Sequence, residues 1–237
     1  MKWLTLRVAL FAACSTGQAA AASRTTFIGG EEFRLPAPAG YVEFCSHNRE
    51  AAEVIALEVP PDNEFLGCYT TPGDFKAWTA RAGGVFESYV VASVMKSTIG
   101  RIVSPAEFAA FRRRMNAQVS TLHETHAALL KGPVEKFEKA ISLKEGLTIR
   151  VEPGQIVPLG VFDEAENYLA SAWLASKQIF VDDKPVVSSK VSISTAVLVR
   201  GKVLVLSTVG EYRQPSDIKR YQDIARAWRA QVISDNT

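Results

Sequence analysis

"VSISTAVLVRGKVLVLSTVGEY", residues 191–212, decides the fold. Val191-Ser192-Ile193-Ser194 alternates large apolar with small polar side chains, and a period of two sends every second residue to the same face of a strand. One face is therefore expected to be buried. Val199-Arg200-Gly201-Lys202-Val203 reads as a tight hairpin with glycine at the first turn position. Its partner strand, Val203 to Tyr212, continues the sheet, and strands joined by so short a turn run antiparallel.

The pattern extends in both directions. Upstream, Val151, then Ile156 to Phe162, then the long apolar run Asn167 to Phe180 read as strands. The turn Asp182-Asp183-Lys184 precedes Pro185. Downstream, Pro215 and Ser216 open a final helix with Ile218, Tyr221, Ile224, Trp228 and Val232 on one face.

The first half of the chain is mixed. Thr26 to Leu35 is strand-like and stopped by Pro36 and Pro38, and Gly40 to Cys45 is a second short strand. Residues 46–58 read as a helix capped by Ser46 and ended by Pro60-Pro61-Asp62-Asn63. Glu64 to Thr70 has the composition of a buried strand. Thr71-Pro72-Gly73-Asp74 starts a short helix with Phe75 and Trp78 turned inward, which Gly83-Gly84 stops. Val85 to Met95 is a strand. Ser104-Pro105-Ala106-Glu107 repeats the capping signature and opens a long central helix through Phe108, Phe111, Met115, Val119, Leu122 and Leu129. Lys131-Gly132-Pro133 breaks it, and a shorter helix follows from Val134 to Leu143. The class is α+β: an antiparallel meander flanked by helices, including the long central helix and a C-terminal helix.

The chain of 237 residues is 47% apolar and 22% charged, enough for one domain over residues 23–237. Residues 1–22 read as a secretory signal peptide. Lys2 and Arg7 make a positive start, Val8 to Cys14 is a short apolar stretch, and Ala19 to Ala22 offers small residues for cleavage. An alternative takes Phe11-Ala12-Ala13-Cys14 as a lipobox, with Cys14 acylated. The formal charge of +2 falls to zero once Lys2 and Arg7 are removed, leaving 25 basic residues against 25 acidic. That balance gives no overall electrostatic case for nucleic acid or an anionic membrane. No run is long enough to span a bilayer as a helix.

Export changes what the cysteines mean. Without Cys14, Cys45 and Cys68 remain in an oxidising compartment, an even count that is expected to form a disulfide worth roughly 3 kcal/mol. Two buried free thiols are the alternative.

Several chemical motifs fall short. In "STLHETHAALL", residues 120–130, His123-Glu124-Thr125-His126 places two imidazoles at i and i+3 rather than the i and i+4 of a zinc-protease helix. His47 is far off and supplies no third ligand, so the stretch reads as the polar flank of an amphipathic helix. His123, Glu124 and His126 stay the residues to mutate if a metal is sought. Ser93-Val94-Met95-Lys96 matches Ser-x-x-Lys, but its serine sits in a predicted strand and no Lys-Thr-Gly accompanies it. Ser234-Asp235-Asn236 lies in a terminus expected to fray. Asp163, Glu164 and Glu166, with Asp182 and Asp183, read as solvated turn acids, a calcium site being the alternative. Arg112-Arg113-Arg114 reads as a solvated helix face; contact with anionic lipid or peptidoglycan is the other possibility. The aromatics Trp173, Trp228, Phe75 and Trp78 read as core.

The export signal, "LPAPAGY", the cysteine pair flanking a helix, "FKAWTARAGG" and the helix carrying "IARAWRAQVISDN" resemble a group of secreted proteobacterial proteins of unknown function. The meander followed by a C-terminal helix is also similar to PsbP-type α/β/α sandwiches. The resemblance implies the Cys45–Cys68 pairing and carries no reaction or cofactor. The expectation is an exported periplasmic protein acting as a non-catalytic binding or accessory module. Its partner would be an envelope protein or a small ligand rather than nucleic acid. A small metal-dependent or serine hydrolase with an atypical site is the alternative.

Overall fold

In a computed structural model that describes residues 23–80, 86–118, 149–181 and 184–237, the hairpin of the opening stretch sits inside a seven-stranded antiparallel sheet. Strands β1 (Ser23–Ile28) and β2 (Glu31–Pro36) form a separate two-stranded ribbon. The large sheet has the order β3-β4-β5-β9-β8-β7-β6. Its members are β3 (Val42–Glu43), β4 (Asn63–Thr70), β5 (Ser88–Met95), β6 (Ile149–Ala165), β7 (Tyr168–Val181), β8 (Lys184–Val199) and β9 (Lys202–Glu211). The helices are α1 (Arg49–Ala56), α2 (Pro72–Thr79), α3 (Lys96–Ile99), α4 (Pro105–Gln118) and α5 (Pro215–Asp235). The α+β class and the antiparallel sheet are as the sequence predicts. None of the described helices is long and apolar enough to cross a membrane.

Alternation along β8 is strict. Val191, Ile193, Thr195, Val197 and Val199 are buried, while the residues between them are half-buried. The buried set faces α5, whose Tyr221, Ala225, Trp228 and Val232 fill the layer between helix and sheet. At the β8–β9 turn both Arg200 (φ 48) and Gly201 (φ 74) lie in the left-handed region, as a type I′ turn requires. Glycine therefore stands second in the turn, not first. Arg200 is held in this conformation by bonds from its guanidinium to the Glu32 carbonyl and the Glu31 carboxylate.

Four expectations change with the tertiary contacts. Thr26 to Leu35 is not one strand, because Gly29 (φ 60) and Gly30 (φ 85) turn the chain back on itself. Helix α1 begins later than Ser46, since Asn48 accepts the Ala51 N–H and Ser46 bonds Glu43 instead. Val151 and Ile156 belong to one long strand, whose register shifts at three points between Pro153 and Asp163. Among the described residues β6 is the last strand of the sheet, and such bulges and prolines are features that discourage further strand pairing at an edge. The C-terminus does not fray: Asn236 is buried, accepts the Arg34 N–H at 2.8 Å and donates to the Arg34 and Val232 carbonyls.

Asn236 belongs to a set of side chains that occupies the outer edge of β2. Tyr69 donates to the Leu35 carbonyl at 2.6 Å, and Trp228 Nε1 donates to Pro36 at 2.8 Å. The backbone groups of β2 are thus satisfied by side chains, and the ribbon stays apart from the large sheet while burying Ile28, Phe33 and Leu35 in the main core.

On the opposite face, Cys45 and Cys68 form a disulfide that closes the excursion containing α1, with Cα atoms 5.4 Å apart. It lies in a second core of Phe44, Ala51, Ile55, Phe86, Tyr89 and Val91, against which Phe75 and Trp78 pack. The open alternative of two free thiols is thereby settled.

Candidate functional site

Two surface grooves and one buried polar knot hold most of the chemistry among the described residues. The knot comes first because it contains a serine. Ser88, at the start of β5, lies 2.5 Å from the Tyr41 hydroxyl, and its own hydroxyl donates to the Val209 carbonyl. Asp74 of α2 accepts the Glu87 and Ser88 N–H groups, and Thr70 donates to the Ser88 carbonyl. Tyr221 closes the knot from α5 with its hydroxyl 2.5 Å from Arg220. Burial pushes the Tyr41 and Tyr221 phenols up, so both stay neutral. A nucleophilic serine needs a base to take its proton. Here that proton goes to a carbonyl. The knot fastens α2, β5 and α5 together.

The first groove, about 560 Å³, runs between α5 and the loop before β3. Pro38, Ala39, Ile224 and Ala227 make it apolar. The charges beside it are already matched: Lys219 pairs with Asp223 at 2.7 Å, and Arg220 lies near both Asp217 and Tyr221.

The second groove, about 490 Å³, lies where β5 runs into α3 and faces α4. The end of β9 fixes its walls. Buried Lys202 donates to the Ile99 and Arg101 carbonyls at 3.0 and 2.9 Å. Val103 N–H reaches the Gly201 carbonyl at 2.8 Å, and Thr98 accepts from Val203. Met95, Val103, Phe108, Phe111 and Val203 form the floor. Arg101, Arg113 and Arg114 stand on the rim. Glu107 is committed to the α4 N-terminus. The Ser104 N–H, the Arg101 guanidinium and the Ser104 hydroxyl all bond it, and they pull its carboxyl down to about 2. Arg113 and Arg114 have no hydrogen-bond or ion-pair partner among the described residues.

Several of the sequence candidates that lie within the described residues have structural roles. Ser93 is buried in β5, donating to Val205 and accepting from Asn63, while Lys96 donates to the Pro61 carbonyl. The Ser-x-x-Lys match is two independent tethers. Asp163 is not a solvated turn acid. It sits in β6 and takes bonds from Arg229 at 2.8 Å, Tyr168 at 3.1 Å and Arg226 at 3.3 Å. Burial pushes its carboxyl up, but the Arg229 bond and the cations outweigh that and hold it below the usual range. Trp228 is core, as expected. Within the arginine triplet, Arg112 turns towards Glu164, while its two neighbours line the groove. His123, Glu124, His126, Cys14, Asp182 and Asp183 lie outside the described residues. Among those that are described, no group of three potential metal ligands gathers.

Sequence reading missed two features. Lys190 is buried, donates to the Phe86 carbonyl at 2.7 Å, and is pushed down by that burial despite Glu211 nearby. The groove itself joins residues 95 to 114 with Val203, a pairing that no local motif announces.

No protein-family model and no curated protein sequence matches the chain. Among solved structures, the chain is similar to the Saccharomyces cerevisiae Ran-binding protein Mog1p. The likeness has 12% identity and a TM-score of 0.29, covering 91% of this chain and 92% of that one. A point mutant of Mog1 gives the same identity and score over 91% and 93%. At that score the likeness carries no argument about fold or site.

Proposed function

We propose that the chain is exported and serves as a non-catalytic binding or accessory module in an oxidising compartment, the bacterial periplasm. The observation that carries the reading is the Cys45–Cys68 disulfide, buried at 6% and 0% exposure inside the second core. A cross-link of this kind persists where thiols are oxidised and is rare in a reducing cytosol. The signal pattern of residues 1–22 and the resemblance to secreted proteobacterial proteins support the same placement. Two preformed grooves, together with a buried serine elsewhere whose hydroxyl donates to a carbonyl, favour binding over hydrolysis.

Intact mass of the protein recovered from the periplasmic fraction tests this. The expected result is a chain shortened near Ala21 or Ala22, two hydrogens lighter than the dithiol form, and resistant to alkylation until it is unfolded and reduced. Full-length protein in the cytoplasm with both cysteines alkylated would overturn it.

A further inference from the structure

We propose that the groove between α3 and α4 binds an anionic amphiphile, a phosphate-headed molecule whose acyl chain lies on the apolar floor. This ligand class deepens the binding role proposed above and rests on it.

Charge separates this groove from the one beside α5. There, each cation already faces a carboxylate or a phenol. Here, Arg113 and Arg114 are unmatched among the described residues, and Arg101 joins them on the rim. Glu107 offsets Arg101 and nothing more, because its oxygens are taken by Ser104 and Arg101. A guanidinium presents paired donors that match the oxygens of a phosphate.

The chain's small formal charge of +2 conceals this local excess. A simple anion would leave Met95, Val103, Phe108, Phe111 and Val203 unused, and a neutral lipid would leave the arginines unused. Only a molecule with both properties matches both parts. Ile102, between groove residues Arg101 and Val103, is 74% exposed and carries the apolar surface past the rim. The volume falls in the range of small-molecule sites, about 300–1,000 Å³. Because Lys202 and the Val103–Gly201 bond hold the wall in place, little ordering is required on binding.

The test is titration calorimetry of the full chain with dodecyl phosphate below its micelle concentration, beside dodecyl maltoside and inorganic phosphate. Dodecyl phosphate is expected to bind one to one and far more tightly than either comparator. Arg113→Gln with Arg114→Gln should weaken it roughly tenfold or more. Ala110→Trp, which fills the groove from α4, should abolish binding while the circular dichroism spectrum is unchanged. Equal binding of the maltoside, equal binding of phosphate alone, no binding of dodecyl phosphate, or indifference to the arginine substitutions each overturns the proposal. These outcomes are separable from failure of the export reading. A retained leader or free thiols would leave calorimetry of the purified chain unaffected, and a silent titration would leave the exported, oxidised protein standing.

Discussion

Replacing Gly210 with alanine should destabilise the protein, against the usual direction for a glycine inside a strand. Gly210 pairs with Ser88 on one side and Val191 on the other. Its backbone is not in the left-handed region, so conformation alone would favour alanine by about 0.5–1 kcal/mol. Space decides otherwise. An added Cβ would overlap Cζ, Cε1 and the hydroxyl of Tyr221, well inside the 3.0 Å that such contacts keep. The ring is 1% exposed and is enclosed by Ala172, Val191, Ile193 and Ala225. Moving it by on the order of 1 Å strains that packing, a perturbation that costs about 1–3 kcal/mol. Set against the conformational gain, the net loss is about 1 kcal/mol, which lowers Tm by about 2–4 °C for a chain of this size. Thermal melts followed by circular dichroism supply the number. Tyr221→Leu removes the ring, so the double variant should lose less than the sum of the singles. A Gly210→Ala protein that melts at or above the parent, or strict additivity, would refute the reasoning.

Reducing Cys45–Cys68 should cost roughly 3 kcal/mol, lowering the urea midpoint by about 1 M or more; paired unfolding curves with and without reductant measure it. Asp163→Asn leaves Arg229, 11% exposed, without its carboxylate and should cost about 2–3 kcal/mol at neutral pH. Because the folded Asp163 carboxyl lies below its ordinary 3.8, its contribution is complete above that pH and fades as pH falls through the folded value. The gap between parent and variant should therefore close in acid, and a constant gap would contradict the assignment. Lys190 has the opposite consequence at high pH. Its folded ammonium releases its proton below the ordinary 10.5, so the unfolded chain binds more protons in that window and stability rises with pH. Lys190→Met should abolish that rise in urea midpoints on the alkaline side, below pH 10.5; an unchanged slope rules the role out.

What the sequence determined on its own was periodic or local. Alternation from Val191 to Val199, the Arg200-Gly201 turn, and the caps at Thr71 and Ser104 each act over a few residues, and the structure places them so. Of the three cysteines, the two left after setting Cys14 aside with the expected leader anticipated the disulfide, a reading that needs only parity and an expected oxidising compartment. Tertiary structure decided the rest, because those choices depend on which distant groups compete for one donor. Asn48 displaced Ser46 as cap once Glu43 engaged Ser46. The ribbon of β1 and β2 stayed separate because Asn236, Trp228 and Tyr69, remote in sequence, satisfied its edge. Arg112, Arg113 and Arg114 look alike in one dimension; only the arrival of β6 beside one and of α3 beside the others gave them different environments. Periodicity fixes which face a residue occupies, and the partner across that face comes from elsewhere in the chain.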